Sequence, residues 1–403
     1  MARKYWEMTK KYWADMVFPI HENPIKDGVV EVAEDGTIIA IRERAEYVDH
    51  EVIKIEGGLC PGFVNTHCHM ELSFMFQQIP EQTGLVDFVK HVVAIRDNFT
   101  AEEEQAAIQR ANDEMWNNGI AAVGDISNDN RSFAIKKASP LRFHTFVEVF
   151  DLSPTNTENT INVGKSVFAE ALKLGGQHTA SITPHAPYSC TPELYRFCDE
   201  RTAEEGSPIL SIHNQENPEE NDLFLTKTGI WSELPVAWGF PFDWFKPYGL
   251  NSLPAMCQHL SHDNQMLFVH NTFTEAQDVA WAHDHFSNVY WATCANANIF
   301  IENNTPNYDK LLNAGAILTI GTDSLASNWQ LCVLSELKAI KARFPHLKTA
   351  DLLQWATLNG AKALRFEEDL GSFELGKRPG LVHISNLDGN GEMTANSVAK
   401  RVV

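Results

Sequence analysis

Residues 61–69 read Pro-Gly-Phe-Val-Asn-Thr-His-Cys-His, an apolar strand-like run that closes on a His-x-His pair. Side chains alternate faces along a strand, so His67 and His69 project to one side and can share an ion, while Cys68 points the other way. Two imidazoles alone do not make a tight transition-metal site, which needs three or four ligands. The same grammar returns at three later places: residues 209–212 end in His213, residues 266–269 end in His270, and residues 316–320 end in Gly-Thr-Asp-Ser, which carries Asp323. A polar residue ending a buried parallel strand is what a (β/α)8 barrel gathers at its C-terminal mouth, where such barrels build their active sites. The pattern predicts one shared site.

Eight strand candidates fit that expectation, at residues 62–66, 121–126, 143–150, 180–184, 209–212, 266–269, 289–294 and 316–320. Helix-length stretches separate them at 101–117, 163–174, 192–205, 274–283 and 331–343, and this alternation favours a parallel sheet. With 403 residues the chain exceeds a barrel of about 250, leaving room for a smaller module. Residues 29–41 alternate through an Asp35-Gly36 turn, a hairpin signal, and a strand pattern returns after Leu370. The expected fold is α/β, a TIM barrel catalytic domain over residues 61–367 with a small β-sandwich module from residues 1–60 plus 368–403. Residues 229–260 break the rhythm with Trp231, Trp238, Phe240, Phe242, Trp244, Phe245 and Tyr248 among four prolines. They read as a lid or pocket wall with Trp244 stacking on a planar substrate, or alternatively as a satellite core or subunit interface.

Composition narrows the function. The formal charge of −21 opposes the attraction that nucleic acid or an anionic membrane would need, and both are excluded as principal partners. No run of about 18 apolar residues occurs, and the first ten residues lack the apolar segment of a secretory signal, so a cytoplasmic protein is expected. Seven scattered cysteines, none spaced Cys-x-x-Cys, argue for reduced thiols and against a thiolate zinc site or the cytidine-deaminase signature. Gly164-Lys165-Ser166 lacks the first glycine of a phosphate loop, Asn159 standing there, and reads as helix surface. His283 and His285 follow a helix-like segment and read as barrel-bottom surface. Lys4-Tyr-Trp6 is nearly repeated at Lys11-Tyr-Trp13, which allows a start nearer the second copy.

In its order of motifs the chain resembles the amidohydrolase superfamily, in the branch of guanine deaminases, S-adenosylhomocysteine-type deaminases and triazine chlorohydrolases. The resemblance runs from the N-terminal strands to residues 356–364 and 371–377. The family's His-x-His falls on His67 and His69, its strand-five His-x-x-Glu on His213 and Glu216, its strand-six His on His270 and its strand-eight Asp on Asp323. The segment Phe-Val-Asn-Thr-His-Cys-His-Met-Glu-Leu-Ser is similar to the start of aminodeoxyfutalosine deaminases. His185 stands where some members carry a metal-bridging lysine, so the resemblance implies one divalent metal held by His67, His69, His213 and Asp323. Zinc is the expected ion, with iron or manganese compatible.

The implied reaction is hydrolytic deamination of an aminated, purine-like nitrogen heterocycle. A metal lowers the pKa of water toward ~7, Asp323 takes a proton, His270 steadies developing oxygen charge, and Glu216, one helical turn beyond His213, protonates a ring nitrogen and the leaving amine. Glu71, on the same alternating face as His69, together with Glu148, His185, Tyr188 and Asn298 are the further candidate substrate contacts. Ala295 replaces a proline that relatives often carry before that asparagine. A chlorohydrolase or cyclic-amide hydrolase would keep the same metal site, although chloride needs no proton to leave. A catalytically idle scaffold would have lost a ligand or the proton shuttle, and none is missing. The resemblance leans toward a homodimer.

Overall fold

The computed structural model describes residues 9–205 and 209–403, so Lys4-Tyr-Trp6 of the near-repeat lies outside the described residues. The first strands are β1 (Lys10–Val17), β2 (Ile25–Val32), β3 (Ile38–Glu43) and β4 (Ile53–Pro61). Eight follow: β5 (Phe63–Cys68), β6 (Ile120–Ser127), β7 (Arg142–Val149), β8 (Thr179–Pro184), β9 (Ile209–Asn214), β10 (Gln265–His270), β11 (Asn288–Thr293) and β12 (Leu318–Ile320). The chain ends with β13 (Leu381–Leu387) and β14 (Met393–Arg401). Two compact units emerge, one of Met1–Asn65, Asp113–Ala122 and Cys332–Val403, the other of Thr66–Asn112 and Val123–Leu331.

In the first unit both chain ends join one six-stranded mixed sheet, ordered β14-β13-β4-β1-β2-β3. The β1–β4 pair is parallel and its neighbours antiparallel. Gly36, at φ 87°, supplies the left-handed residue between β2 and β3 that the hairpin signal predicts. Tyr12, Val30, Ile38, Leu59, Phe373 and Leu381 interlock into its core, so residues more than three hundred positions apart share one hydrophobic cluster.

The eight strands β5 to β12 form two four-stranded sheets, β5-β6-β7-β8 and β9-β10-β11-β12. The pairings β7–β8, β9–β10, β10–β11 and β11–β12 are parallel. Two seams join the sheets. At one, the His213 amide donates to the His185 carbonyl at 2.9 Å and the Ser211 amide to Thr183 Oγ1 at 2.9 Å. At the other, Thr66 Oγ1 donates to the Ile320 carbonyl at 3.0 Å and lies 2.8 Å from Thr319 Oγ1. The result is the expected TIM barrel, whose strands are buried along nearly their whole length, as apolar runs without alternation require.

Helices at Ala101–Asn117 and Pro192–Glu205 fall where periodicity places them. Thr100 and Glu103 exchange hydrogen bonds at the first of these, a capping box, and Glu102 to Glu104 complement the helix dipole. The helix expected at 163 begins earlier, at Thr157. Its Asn- and Thr-rich first turns read poorly by propensity, and Gly164 inside it allows close approach to β7, since a Cβ there would lie 2.6 Å from Val149 Cγ1. The insertion folds into short helices Ile230–Ala237 and Ser252–Cys257. Among the described residues no helix is long and apolar enough to cross a membrane.

A buried ion pair lies inside this unit. Lys136 Nζ is 2.7 Å from Asp125 Oδ2, both side chains fully buried, and also donates to Ser127 Oγ and Thr145 Oγ1 at 2.9 and 3.1 Å. Asp125 Oδ1 accepts the Met70 amide at 2.8 Å and so fixes the exit of the chain from β5. Removing one partner leaves the other charge stranded. Lys136→Met is expected to lower stability by about 3–5 kcal/mol, measured by chemical denaturation of the metal-loaded protein.

Candidate active site

The ends of β5, β9, β10 and β12 bring His67, His69, His213, His270 and Asp323 together. His69 Nε2 lies 3.1 Å from His213 Nε2, and Asp323 Oδ1 is 3.6 Å from Nε2 of both His67 and His69. Ligand atoms of His67, His69 and His213 lie within 4.8 Å of one another, as do those of His67, His270 and Asp323. Neither nitrogen of the fully buried His67 ring has a hydrogen-bond partner among the described residues. Imidazole nitrogens left bare and converging with a carboxylate are costly without a cation, so this donor set fits a divalent metal.

Burial makes the rings good ligands. Desolvation pushes His69 down to about 3 and His185 to about 4, and holds His67 and His213 below the usual histidine range, so their lone pairs are free near neutral pH. Burial alone would raise the Asp323 carboxyl, but His67, His69 and His270 outweigh it and hold it well below the carboxylate range. The His213 Nδ1–H donates to the His185 carbonyl at 3.0 Å, which aims Nε2 at the cluster. Glu148 Oε1 stands 3.4 Å from the same Nδ1. Ser327 Oγ donates to Asp323 Oδ2.

Backbone geometry aims the strand ends. Gln215, His270, Asn271 and Asp323 all have left-handed φ, between 46° and 70°, unusual for non-glycine residues and concentrated where strands end at the site. Gly321 is needed for a different reason: a Cβ there would lie 2.8 Å from His67 Cβ and 2.7 Å from Cys294 Sγ.

Glu216 reaches the site by another route than expected. It lies in the loop between β9 and the helix Glu219–Thr226, turned inward by left-handed Gln215 instead of by a helical turn. Its Oε1 accepts the Tyr188 hydroxyl at 3.3 Å and its Oε2 faces His270 Nε2 at 3.5 Å. Burial raises its pKa, opposed by His270. Glu71 likewise belongs to a 3-10 segment, Met70–Met75, and not to the strand, because Asp125 turns the chain at Met70.

A cavity of about 270 Å³ opens from the cluster, lined on its polar side by His69, Glu71, Asn128, Glu148, His185 and Glu216. Asn128 bridges two carboxyls, its amide donating to Glu71 at 3.1 Å and its Nδ2 to Glu148 Oε2 at 3.0 Å. Burial, aided by the charge of Asp129, pushes Glu71 up to about 8, and burial takes Glu148 to about 8. The other side is apolar, formed by Phe74 and by Leu85, Phe88, Val89 and Val92 from one face of the helix Leu85–Ile95.

Two expected substrate contacts are elsewhere. Asn298 lies in the first turn of the helix Ala295–Glu302, behind His270, whose Nδ1–H donates to its Oδ1 at 2.8 Å. Trp244 packs edge-on against Phe242 and Phe245, at 5.6 and 5.8 Å, because residues 242–248 fold into their own aromatic cluster around Lys227, whose Nζ binds the Phe242 and Phe245 carbonyls. Trp231 and Trp238 reach the cavity instead. The insertion is thus part pocket wall and part satellite core. Asn128, Ser327 and the Leu85–Ile95 face escaped the sequence reading; only the last left a signal, apolar residues spaced i, i+3, i+4, i+7.

The chain's sequence and fold have counterparts in known proteins. An adenosine deaminase of Helicobacter pylori is 28% identical over 334 residues, 80% of this chain and 78% of that one. The aminofutalosine deaminase of Helicobacter pylori in complex with methylthio-coformycin superposes with a TM-score of 0.84 at 24% identity, covering 98% of this chain and 100% of that one. A zinc-bound adenosine deaminase from Xanthomonas campestris superposes with a TM-score of 0.74 at 21% identity, covering 94% and 84%. The model of the Amidohydrolase family matches residues 59–400, spanning every strand that contributes to the cluster. With that model matched over most of its length, the chain belongs to the amidohydrolase family and is a hydrolase of carbon-nitrogen bonds other than peptide bonds.

Proposed function

We propose that the chain is a hydrolytic deaminase of an aminated purine nucleoside, with one zinc ion held by His67, His69, His213 and Asp323. The observation that carries this reading is the placement of Glu216, its carboxyl held between Tyr188 and His270 beside the four donors. His185 in place of a bridging lysine supports a single ion, and a set of three imidazoles and one carboxylate suits zinc. Bound there, a divalent ion supplies the Lewis acidity that brings water's pKa toward ~7.

The residues divide the remaining work. Asp323, kept charged by the rings it faces, accepts the proton of the attacking water. Glu216, its pKa raised by burial, donates its proton to the ring nitrogen next to the attacked carbon. The proton taken up by Asp323 then passes to the departing amine and the hydroxyl proton of the adduct returns to Glu216, so that ring C–NH2 and water give ring C=O and ammonia. His270, oriented by Asn298, steadies the oxygen. Glu71, Glu148, His185 and Tyr188 face the cavity as substrate contacts, the two carboxyls offering both a donor and an acceptor to hydroxyls. The apolar Leu85–Ile95 face favours a nucleoside whose end remote from the base is alkyl or aryl. The catalytic domain is read as residues 61–367, with the chain ends as a separate module, and seven free cysteines support a reducing cytoplasm.

Ammonia release by zinc-reconstituted protein tests the reading across adenosine, 5′-alkylated and 5′-arylated adenosines, guanine and aminotriazines. A 5′-substituted adenosine is expected to be the best substrate. Chloride release from a halogenated triazine without ammonia release from any amine would overturn it. Glu216→Gln is expected to lower kcat by about a hundredfold or more with metal retained. A general acid works only while protonated, and burial raises Glu216, so kcat is expected to fall as pH rises through that raised value. Gly321→Ala, by crowding His67, is expected to lower zinc content after dialysis, measured by elemental analysis, while circular dichroism stays unchanged.

A further inference from the structure

Two independent routes lead from the indole of Trp231 to the dipeptide Glu216-Asn217. Along the first, the Trp231 ring stacks on Tyr188 with centroids 3.9 Å apart and planes 20° from parallel, and the Tyr188 hydroxyl donates to Glu216 Oε1 at 3.3 Å. Along the second, Trp231 Nε1–H donates to Asn217 Oδ1 at 3.1 Å. That same oxygen accepts the Glu220 amide at 3.1 Å, tying Asn217 to the start of the helix Glu219–Thr226. All of these side chains are buried, Trp231 at 4% exposure, so water cannot take over a lost contact at low cost.

We propose that Trp231 is a positioning residue for the Glu216 carboxyl and not merely a stretch of cavity wall. A phenol pinned face-on to an indole cannot swing, so its hydroxyl fixes Oε1, and with Oε2 facing His270 the carboxyl keeps one orientation. The indole N–H meanwhile holds Asn217, and with it the loop on which Glu216 is carried. Trp231 belongs to the helix Ile230–Ala237, inside the aromatic insertion, so this inserted segment sets the aim of the proton donor. The inference rests on Glu216 acting as that donor.

The test compares metal-loaded wild type, Trp231→Leu, Tyr188→Phe and the double variant on whichever nucleoside the wild type deaminates. Each single change is expected to lower kcat by about tenfold to a hundredfold, as misplacement of a reacting group does. For Trp231→Leu, KM should stay within about twofold and zinc content unchanged, since a positioning group acts on the transition state and not on ground-state binding. The double variant should lose no more than Trp231→Leu, because that change already breaks the Tyr188 route that Tyr188→Phe cuts, along with the Asn217 route. Trp231→Phe, which keeps a ring on Tyr188 but loses the N–H, should recover part of kcat. Losses that multiply, or that for Trp231→Leu appear only in KM, would overturn the proposal. Crystal structures of zinc-loaded wild type and Trp231→Leu need no substrate: Glu216 should leave His270 in the variant, and an unmoved carboxyl sinks the idea. A wild type silent on every nucleoside would instead count against the deaminase reading, and the crystallographic comparison would then decide the positioning role alone.

Discussion

Between β5 and β12, Thr66 meets Thr319 and the Ile320 carbonyl, and the His67 carbonyl accepts the amides of both Thr322 and Asp323 at 2.9 and 3.1 Å. This seam closes the barrel and simultaneously delivers the acid of the last strand to the histidines of the first. A slip of one residue between the strands would carry the Thr322 and Asp323 amides off the His67 carbonyl. Gly321 makes the close approach possible, and the left-handed φ of Asp323 turns its carboxylate inward. Closure and site assembly are therefore one event.

Once closed, the mouth buries its titratable side chains, and burial sets the electrostatics. Desolvation disfavours the charged form of the imidazoles, Asp323 is held below the carboxylate range by the histidines it faces, and Glu216, Glu71 and Glu148 are raised toward their neutral forms. One barrel mouth thus holds a carboxyl pushed down and a carboxyl pushed up side by side, separated by environment and not by residue type. Behind them the Asp125–Lys136 pair fixes the turn that follows His69.

The walls show how a common barrel acquires its own cavity. The Leu85–Ile95 face gives the cavity an apolar half, Asn128 organises two carboxyls opposite, and the aromatic insertion splits into a part that reaches the cavity and a part that buries itself. The split follows from Lys227, whose bonds to two backbone carbonyls hold residues 242–245 away from the mouth.

Strands could be read from sequence because buried parallel strands are continuous apolar runs, and their ends because a polar side chain can terminate such a run only where it has work or a partner. That logic located His67, His69, His213, His270 and Asp323, the eight strands and the β module of both ends. It placed Glu216 and Glu71 in the right neighbourhood but on the wrong backbone, since a left-handed Gln215 and a 3-10 turn held by Asp125 depend on contacts far along the chain. It misdirected Trp244 and Asn298, and overlooked Asn128 and Ser327, because loop side chains follow no period and take their direction from neighbours distant in sequence. Local pattern determined the barrel and the strand ends that carry its polar residues; only tertiary packing decided which loop residues face the cavity, because that choice depends on contacts the chain makes after the barrel has closed.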